Sequence, residues 1–143
     1  MLNDRKMQVA MLMLIYLASL PFNGFCYGET HCWAGVGILA FGFLGLMMDA
    51  QISWLANLLI VPTWLLLLVD SKASNRASAM CGIAALLVGN AFLLQGVNTS
   101  EAGGLLEDVT SLGMGYWLWI GSIALSTLVA VHSAFRRRDR APS

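Results

Sequence analysis

Two cysteines, a histidine and a glutamate lie close together in the segment "CYGETHCW", residues 26 to 33. Cys and His at close spacing are the ligands that zinc prefers, but this spacing matches no established metal-binding pattern. If the segment faces an oxidising compartment, Cys26 and Cys32 can instead form a disulfide that closes a short loop. We therefore expect no metal site here and favour a disulfide over metal binding, with two unpaired thiols as the alternative.

One carboxylate, Asp49, stands between two apolar runs in "MMDAQISWLAN", residues 47 to 57. A turn in water between two helices explains it simply, since a hydrated carboxylate there loses little solvation. The alternative is a carboxylate part-way into a bilayer that titrates or binds a cation, because acids inside a membrane are candidate functional residues. We favour the turn and keep Asp49 as a candidate functional residue.

Three amides, Asn57, Asn90 and Gln95, lie within or beside apolar runs. Amides in such places usually hydrogen-bond across helices, with a modest gain of about 0.6 to 2 kcal/mol, so their expected role is structural. The sequence contains no P-loop, dinucleotide-binding fingerprint, nucleophile elbow or zincin motif. It therefore predicts no catalytic residue, no cofactor and no enzymatic activity.

The composition indicates an integral membrane protein. Of the 143 residues, 58% are hydrophobic and only 11% are charged, and the mean hydropathy is +0.72. Soluble domains carry about 25% charged residues. We expect an all-α membrane helical bundle formed by one domain, residues 1 to 143, with lipids as its surroundings and no nucleic-acid partner.

Four uncharged runs approach or exceed the roughly 17 to 25 residues that a spanning helix needs. A fifth run, 34 to 48, has 15 residues and would be about 22 Å long as a helix, which is short for a hydrocarbon core of about 30 Å. We interpret it as a re-entrant or interfacial helix, with five spans as the alternative. The four predicted spans are residues 7 to 28, 52 to 69, 77 to 95 and 112 to 135.

The charge distribution favours four spans. All eight Lys and Arg residues lie before the first span, between the second and third, or after the fourth. An even number of crossings puts these three places on one side, as the positive-inside rule requires, and leaves the other side with acids and no bases. We therefore expect both termini in the cytoplasm of a multi-pass protein.

Small residues recur on two of the predicted spans. Cys81, Ala85 and Gly89 repeat every four residues on the third, and Ser122, Ser126 and Ala130 repeat in the same way on the fourth. Such stripes let helix backbones approach closely in lipid. We expect them to pack within one chain in preference to an oligomer interface.

Several short motifs resemble those of a group of small, uncharacterised, multi-span proteins of the bacterial inner membrane. They are "GFLG" at 42 to 45, "SWLAN" at 53 to 57, and "EAGG" at 101 to 104 followed by "VTSLGMGYWLWIGS" at 109 to 122. The chain departs from the group's pattern at Phe43, where Trp is commoner, and at Leu58, where Pro is commoner. The resemblance implies an inner-membrane location but no activity. It also implies a shared outer-face feature made of Trp54, Ala56, Asn57, Gly115, Tyr116, Trp117 and Trp119.

Two classes of function fit this sequence. The first is a non-enzymatic accessory, sensing or partner-binding subunit that presents a Trp-rich, acidic outer face to a lipid, a peptide or another membrane protein. The second is a small channel or transporter in which Asp49, Asn57 and Asn90 lie near a pathway. The second requires a homo-oligomer, because four or five short helices leave little room for a conduit.

Overall fold

The computed structural model describes residues 2–27, 31–49, 52–69, 71–95, 97–98, 106–107 and 109–136. The protein is mostly helical, with a small three-stranded sheet. The helices are α1 (Leu2–Ser19), α2 (Gly35–Asp49), α3 (Leu55–Val69), α4 (Lys72–Gly89), α5 (Phe92–Gln95) and α6 (Met114–Arg136), and a single 3-10 turn, Ile52–Trp54, precedes α3. The strands are β1 (Asn23–Tyr27), β2 (His31–Ala34), β3 (Val97–Asn98), β4 (Leu106–Glu107) and β5 (Val109–Leu112).

The three most extensive contacts between helices are made among α1, α3, α4 and α6, which pack side by side. The order is α3, α4, α6, α1, and neighbouring helices run antiparallel. Near one end the Ser78 hydroxyl of α4 donates to the Thr63 carbonyl of α3 (2.8 Å). At the other end the Tyr116 hydroxyl of α6 donates to Asn90, which follows α4 (2.6 Å). We call these the basic end, where α1 and α4 begin, and the sheet end, where they finish.

Apolar side chains lie both inside the four packed helices and on their outer surface. The interior combines apolar residues such as Ile60, Leu67 and Ile123 with many hydroxyls, including the fully buried Thr63, Ser78, Ser122 and Ser126. Large apolar side chains also line the outside of every one of these helices. They include Met7, Met11, Leu14 and Leu17 on α1; Leu58, Val61, Leu65 and Leu68 on α3; Met80, Ile83 and Leu87 on α4; and Trp117, Leu125, Leu128 and Phe135 on α6.

The small residues of both stripes pack within the chain, and Gly82 and Gly89 of α4 lie against α6. Ala85, Gly82 and Gly89 are buried on α4, and Ser122, Ser126 and Ala130 are fully buried on α6. Cys81 is only partly buried. Packing within one chain is therefore confirmed for these residues other than Cys81.

The first predicted span, 7 to 28, is wrong at its second half. The helix ends at Ser19, the chain turns through Pro21, and residues from Asn23 form a strand. Pro21 has no N–H and disfavours helical geometry in the residue before it, which explains the end of the helix. Hydropathy could not reveal this boundary, because the residues after it are also uncharged.

The third predicted span, 77 to 95, is also displaced. The helix begins at Lys72, where the Ser71 hydroxyl accepts a hydrogen bond from the Ser74 N–H (3.0 Å) and caps it. It ends at Gly89, and Asn90 closes its last turn. A short charged start, with Lys72 and Arg76, thus belongs to the helix and not to a loop.

Two helical segments in the described residues are long and apolar enough to cross a membrane. They are Ile52–Val69 and Met114–Phe135. The helices α1 and α4 have 18 residues each, but charged residues occupy their first two turns. By length and composition, the structure therefore supports two of the four predicted spans directly.

The short helix α2 lies outside the four packed helices. Its first N–H groups donate to the chain just after α1, from Gly35 to the Phe22 carbonyl (2.9 Å) and from Val36 to the Leu20 carbonyl (2.8 Å). Its middle turn contacts Trp54, whose indole N–H donates to the Leu39 carbonyl (3.0 Å). Because both contacts are at the sheet end, the chain enters and leaves α2 at the same end of the molecule.

Gly82 offers a test of the close contact between α4 and α6. A Cβ added there would meet the Oγ1 of Thr127 and would lie 3.2 Å from the Thr127 Cα. Because a backbone atom cannot move aside as a side chain can, we expect Gly82→Ala to lower the free energy of unfolding by about 1 to 3 kcal/mol in detergent. Gly121 is the matched control, since no atom lies within 4 Å of its added Cβ. Gly121→Ala should cause no loss, and equal losses at the two positions would contradict the packing described.

Candidate functional site

One amide oxygen joins three helices near the sheet end. Asn57, in the first turn of α3, accepts at its Oδ1 from the Tyr16 hydroxyl of α1 (2.8 Å). The same oxygen accepts from the Trp119 indole N–H of α6 (2.9 Å). A carbonyl oxygen has two lone pairs, so both donors are satisfied by one acceptor.

A second amide joins α4 to α6 at a similar level. Asn90 accepts at its Oδ1 from the Tyr116 hydroxyl (2.6 Å), and its Nδ2 donates to the Leu86 carbonyl one turn earlier (2.7 Å). Asn90 thus closes the end of α4 and holds the beginning of α6 with the same side chain. We call Tyr16, Asn57, Asn90, Tyr116 and Trp119 the amide cluster.

Aromatic contacts hold the amide cluster in place. The Tyr16 and Trp64 rings meet edge to face at a centroid distance of 5.5 Å, and Tyr116 lies 6.2 Å from Trp119. The Trp64 indole N–H donates to the Ser126 hydroxyl (3.0 Å), which adds a link from α3 to α6 one layer deeper. An edge-to-face ring pair such as that of Tyr16 and Trp64 stabilises a folded protein by about 0.5 to 1.5 kcal/mol beyond the effect of burying the rings.

The arrangement fixes the relative positions of all four packed helices. The cross-helix bonds made by Tyr16, Tyr116, Trp119 and Trp64 use a phenol or an indole as donor and an amide or hydroxyl as acceptor, so no formal charge is buried in making them. The amide oxygens of Asn57 and Asn90 are both engaged with protein groups. This chemistry is suited to positioning helices.

The residues of the expected outer-face feature lie at the sheet end, and most of them are buried or partly buried there. Ala56 and Tyr116 are buried, Gly115 is buried against the backbone of Phe22 and Asn23, and Trp54 donates its N–H to α2. Of Trp54, Tyr116, Trp117 and Trp119, only Trp117 is largely exposed, at 59%. Because apolar residues occur on both faces of α3 and α6, the sequence does not show which side chains face the interior.

The remaining candidate polar residues are less informative. Asp49 is the last residue of α2, and its side chain lies outside the described part of the structure, as does the side chain of Gln95.

The sequence pattern did not identify Tyr16 as a functional candidate, although it is the one tyrosine in the apolar run of α1. A lone phenol among aliphatic residues was the available signal, because such a hydroxyl needs a partner inside a bundle.

A small disulfide-linked sheet fastens the sheet end. Strand β1 pairs with β2 on one side and with β5 on the other, so that Cys26 stands opposite Cys32 and Ser111. Cys26 and Cys32 form a disulfide. Because β1 follows α1 and β5 precedes α6, this sheet ties the two helices together. Among the described residues, no three His, Cys, Asp or Glu side chains form a group suited to a metal ion.

Gly113 shows how closely the sheet approaches α6. Its N–H donates to the Gly24 carbonyl (2.9 Å), and an added Cβ would collide with the carbonyl oxygen of Asn23. Only glycine fits such a backbone contact. The sheet and the first turn of α6 therefore form one packed unit.

Comparison with known proteins finds no matching family model, no matching curated protein and no matching solved structure. The fold and the site define a mostly helical protein with two helices suited to a membrane, held at one end by an amide cluster and a disulfide-linked sheet. The resemblance to small inner-membrane proteins stays a prediction.

A double-mutant cycle tests the link through Asn57. We expect Tyr16→Phe and Asn57→Leu each to lower the free energy of unfolding, with a coupling energy of about 0.5 to 1.5 kcal/mol, because both remove the same hydrogen bond. The control cycle pairs Tyr16→Phe with Asn90→Leu, which removes a different bond and should give additive losses. The measurement is denaturant unfolding in detergent. Additive losses in the Asn57 cycle would show that the Tyr16 bond contributes nothing to stability.

Proposed function

We propose that this chain is a small, non-enzymatic integral membrane protein in which α1, α3, α4 and α6 each cross the bilayer. The observation that carries the proposal is the ring of exposed apolar side chains on all four helices around an interior rich in hydroxyls and small residues. Water would disfavour such an extended apolar surface, whereas lipid tails match it. The resemblance in sequence is the basis for assigning the bacterial inner membrane.

The charges support an orientation with the basic end in the cytoplasm. Every Lys and Arg residue lies in the first two turns of α1 or α4, or at and after the last residue of α6. Lys and Arg near helix ends can extend to the headgroups while their stems stay in the apolar layer. This property would allow α1 and α4 to span the bilayer although each begins with charged residues. In the proposed orientation the disulfide-linked sheet lies on the outer side.

The composition of α2 supports a place in the outer half of the bilayer. Its residues before Asp49 are all apolar or glycine, so it has no polar face to turn toward water. Met47 is 78% exposed and Phe41 is 58% exposed. A helix of this kind is best covered by lipid or by another membrane protein.

We further propose that the protein acts as an accessory, sensing or partner-binding subunit, with the exposed face of α2 as the contact for a partner. The polar groups of the amide cluster support this role over a channel, because they bond to one another and hold the four helices closed. In contrast, α2 is attached mainly to the sheet and to Trp54, which leaves one face free to bind.

The orientation can be tested with the native cysteines. In a Cys81→Ala background, a membrane-impermeant maleimide on intact cells should label Cys26 and Cys32 only after treatment with an impermeant reductant, because the disulfide faces outward. A Cys26→Ser variant, which leaves Cys32 unpaired, should be labelled without reductant.

Reporter fusions test the same orientation independently. Reporters fused after Arg76 and after Ser143 should both indicate the cytoplasm. Labelling that requires broken cells, or reporters on opposite sides, would refute the four-span arrangement.

The accessory role can be tested by site-specific photo-crosslinking in cells. A photoreactive residue at Phe41 of α2 should give one discrete product with a different protein. The same residue at Leu87, which is 72% exposed on α4, should give lipid adducts only. Purified protein in liposomes should conduct no ions. An ion flux that Asp49→Asn abolishes would overturn this role and support the oligomeric channel or transporter.

A further inference from the structure

An open apolar groove runs between the first half of α1 and the second half of α6, near the basic end. Its volume is about 250 Å³. Methionines make up part of its wall, and their flexible side chains adapt to irregular apolar shapes. The lining residues are Met7, Gln8, Met11, Leu12, Leu125 and Val129.

Positive charge lies at the end of this groove nearest the helix termini. Lys6 is exposed and directly precedes Met7, and α6 ends at Arg136 about two turns beyond Val129. Asp4 offsets one charge, but Arg5, Lys6 and Arg136 leave an excess of two positive charges among these four residues. Along the helix axes, the apolar wall of the groove is therefore followed by a region of positive charge.

We propose that this groove binds one anionic phospholipid of the cytoplasmic leaflet. An acyl chain lies against the Met11 and Leu125 side chains, and the phosphate group lies at Lys6. Gln8, the one polar lining residue, is exposed and can donate its amide N–H to an ester carbonyl between headgroup and chain.

Charge also argues against a second copy of this chain in the groove. Two copies inserted in the same membrane have the same orientation, so a shared groove would bring their basic ends together. Like charges at close range disfavour that pairing, whereas an anionic headgroup neutralises them. The proposal rests on the membrane location given above, and recovery of the chain in a soluble cell fraction would refute that location independently.

Native mass spectrometry of the delipidated protein in detergent can test the site. Phosphatidylglycerol and phosphatidylcholine with identical acyl chains are titrated separately. We expect one phosphatidylglycerol to bind at least about fivefold more tightly, and Lys6→Gln to remove about fivefold of that affinity, since one basic contact near a headgroup has about that effect. Lys72→Gln is the matched control: it also removes an exposed lysine from the first turns of a helix at the basic end, and it should leave binding unchanged.

A second pair of variants tests the apolar wall. Leu125 is 44% exposed and lines the groove, whereas Leu128 is 63% exposed on the same helix and does not. Leu125→Trp should fill the groove and abolish the bound lipid, and Leu128→Trp should keep it. Equal affinity for the two lipids, or equal effects of the paired variants, would overturn the proposal. A dimer that Leu125→Trp disrupts would assign the groove to a second copy and overturn it as well.

Discussion

The Asn57 side chain determines how three of the helices meet. Its Oδ1 accepts from Tyr16 on α1 and from Trp119 on α6, while its backbone belongs to the first turn of α3. Moving any of these helices along its axis by one residue, about 1.5 Å, would break one of the bonds and leave a donor without a partner inside the bundle. Asn57 thus sets one common level for α1, α3 and α6.

Small residues make that common level attainable. Gly89 at the end of α4 lies against the Trp119 ring and against Ala56, which directly precedes Asn57. A larger residue at this position would push the ring away from the amide oxygen. In the proposed bilayer, lipid would supply little driving force for bringing apolar helix faces together, so the close approach and the hydrogen bonds would act together. The stripe on α4 is therefore a condition for the amide cluster as well as a packing contact.

Some of this could be predicted from the sequence. Periodicity and residue size were enough to identify the buried small residues, because Ala85 and Gly89 on α4, and Ser122 and Ser126 on α6, repeat every four residues whatever their partners are. The partners themselves could not be predicted: Trp64 and Ser126 are 62 positions apart, and no local pattern connects them. The end of α1 at Ser19 was missed because hydropathy does not distinguish an uncharged strand from the last turns of a helix.

The sheet explains why α2 remains outside the bundle. Gly35 and Val36 are bonded to the turn after α1, and only a short segment joins the end of α2 to the 3-10 turn before α3. Both attachments lie at the end where the disulfide-linked sheet connects α1 to α6. These attachments hold α2 beside the sheet end, where the glycines at positions 37 and 42 let it lie close to Trp33 and Trp54. The apolar face that α2 leaves exposed is a consequence of these attachments.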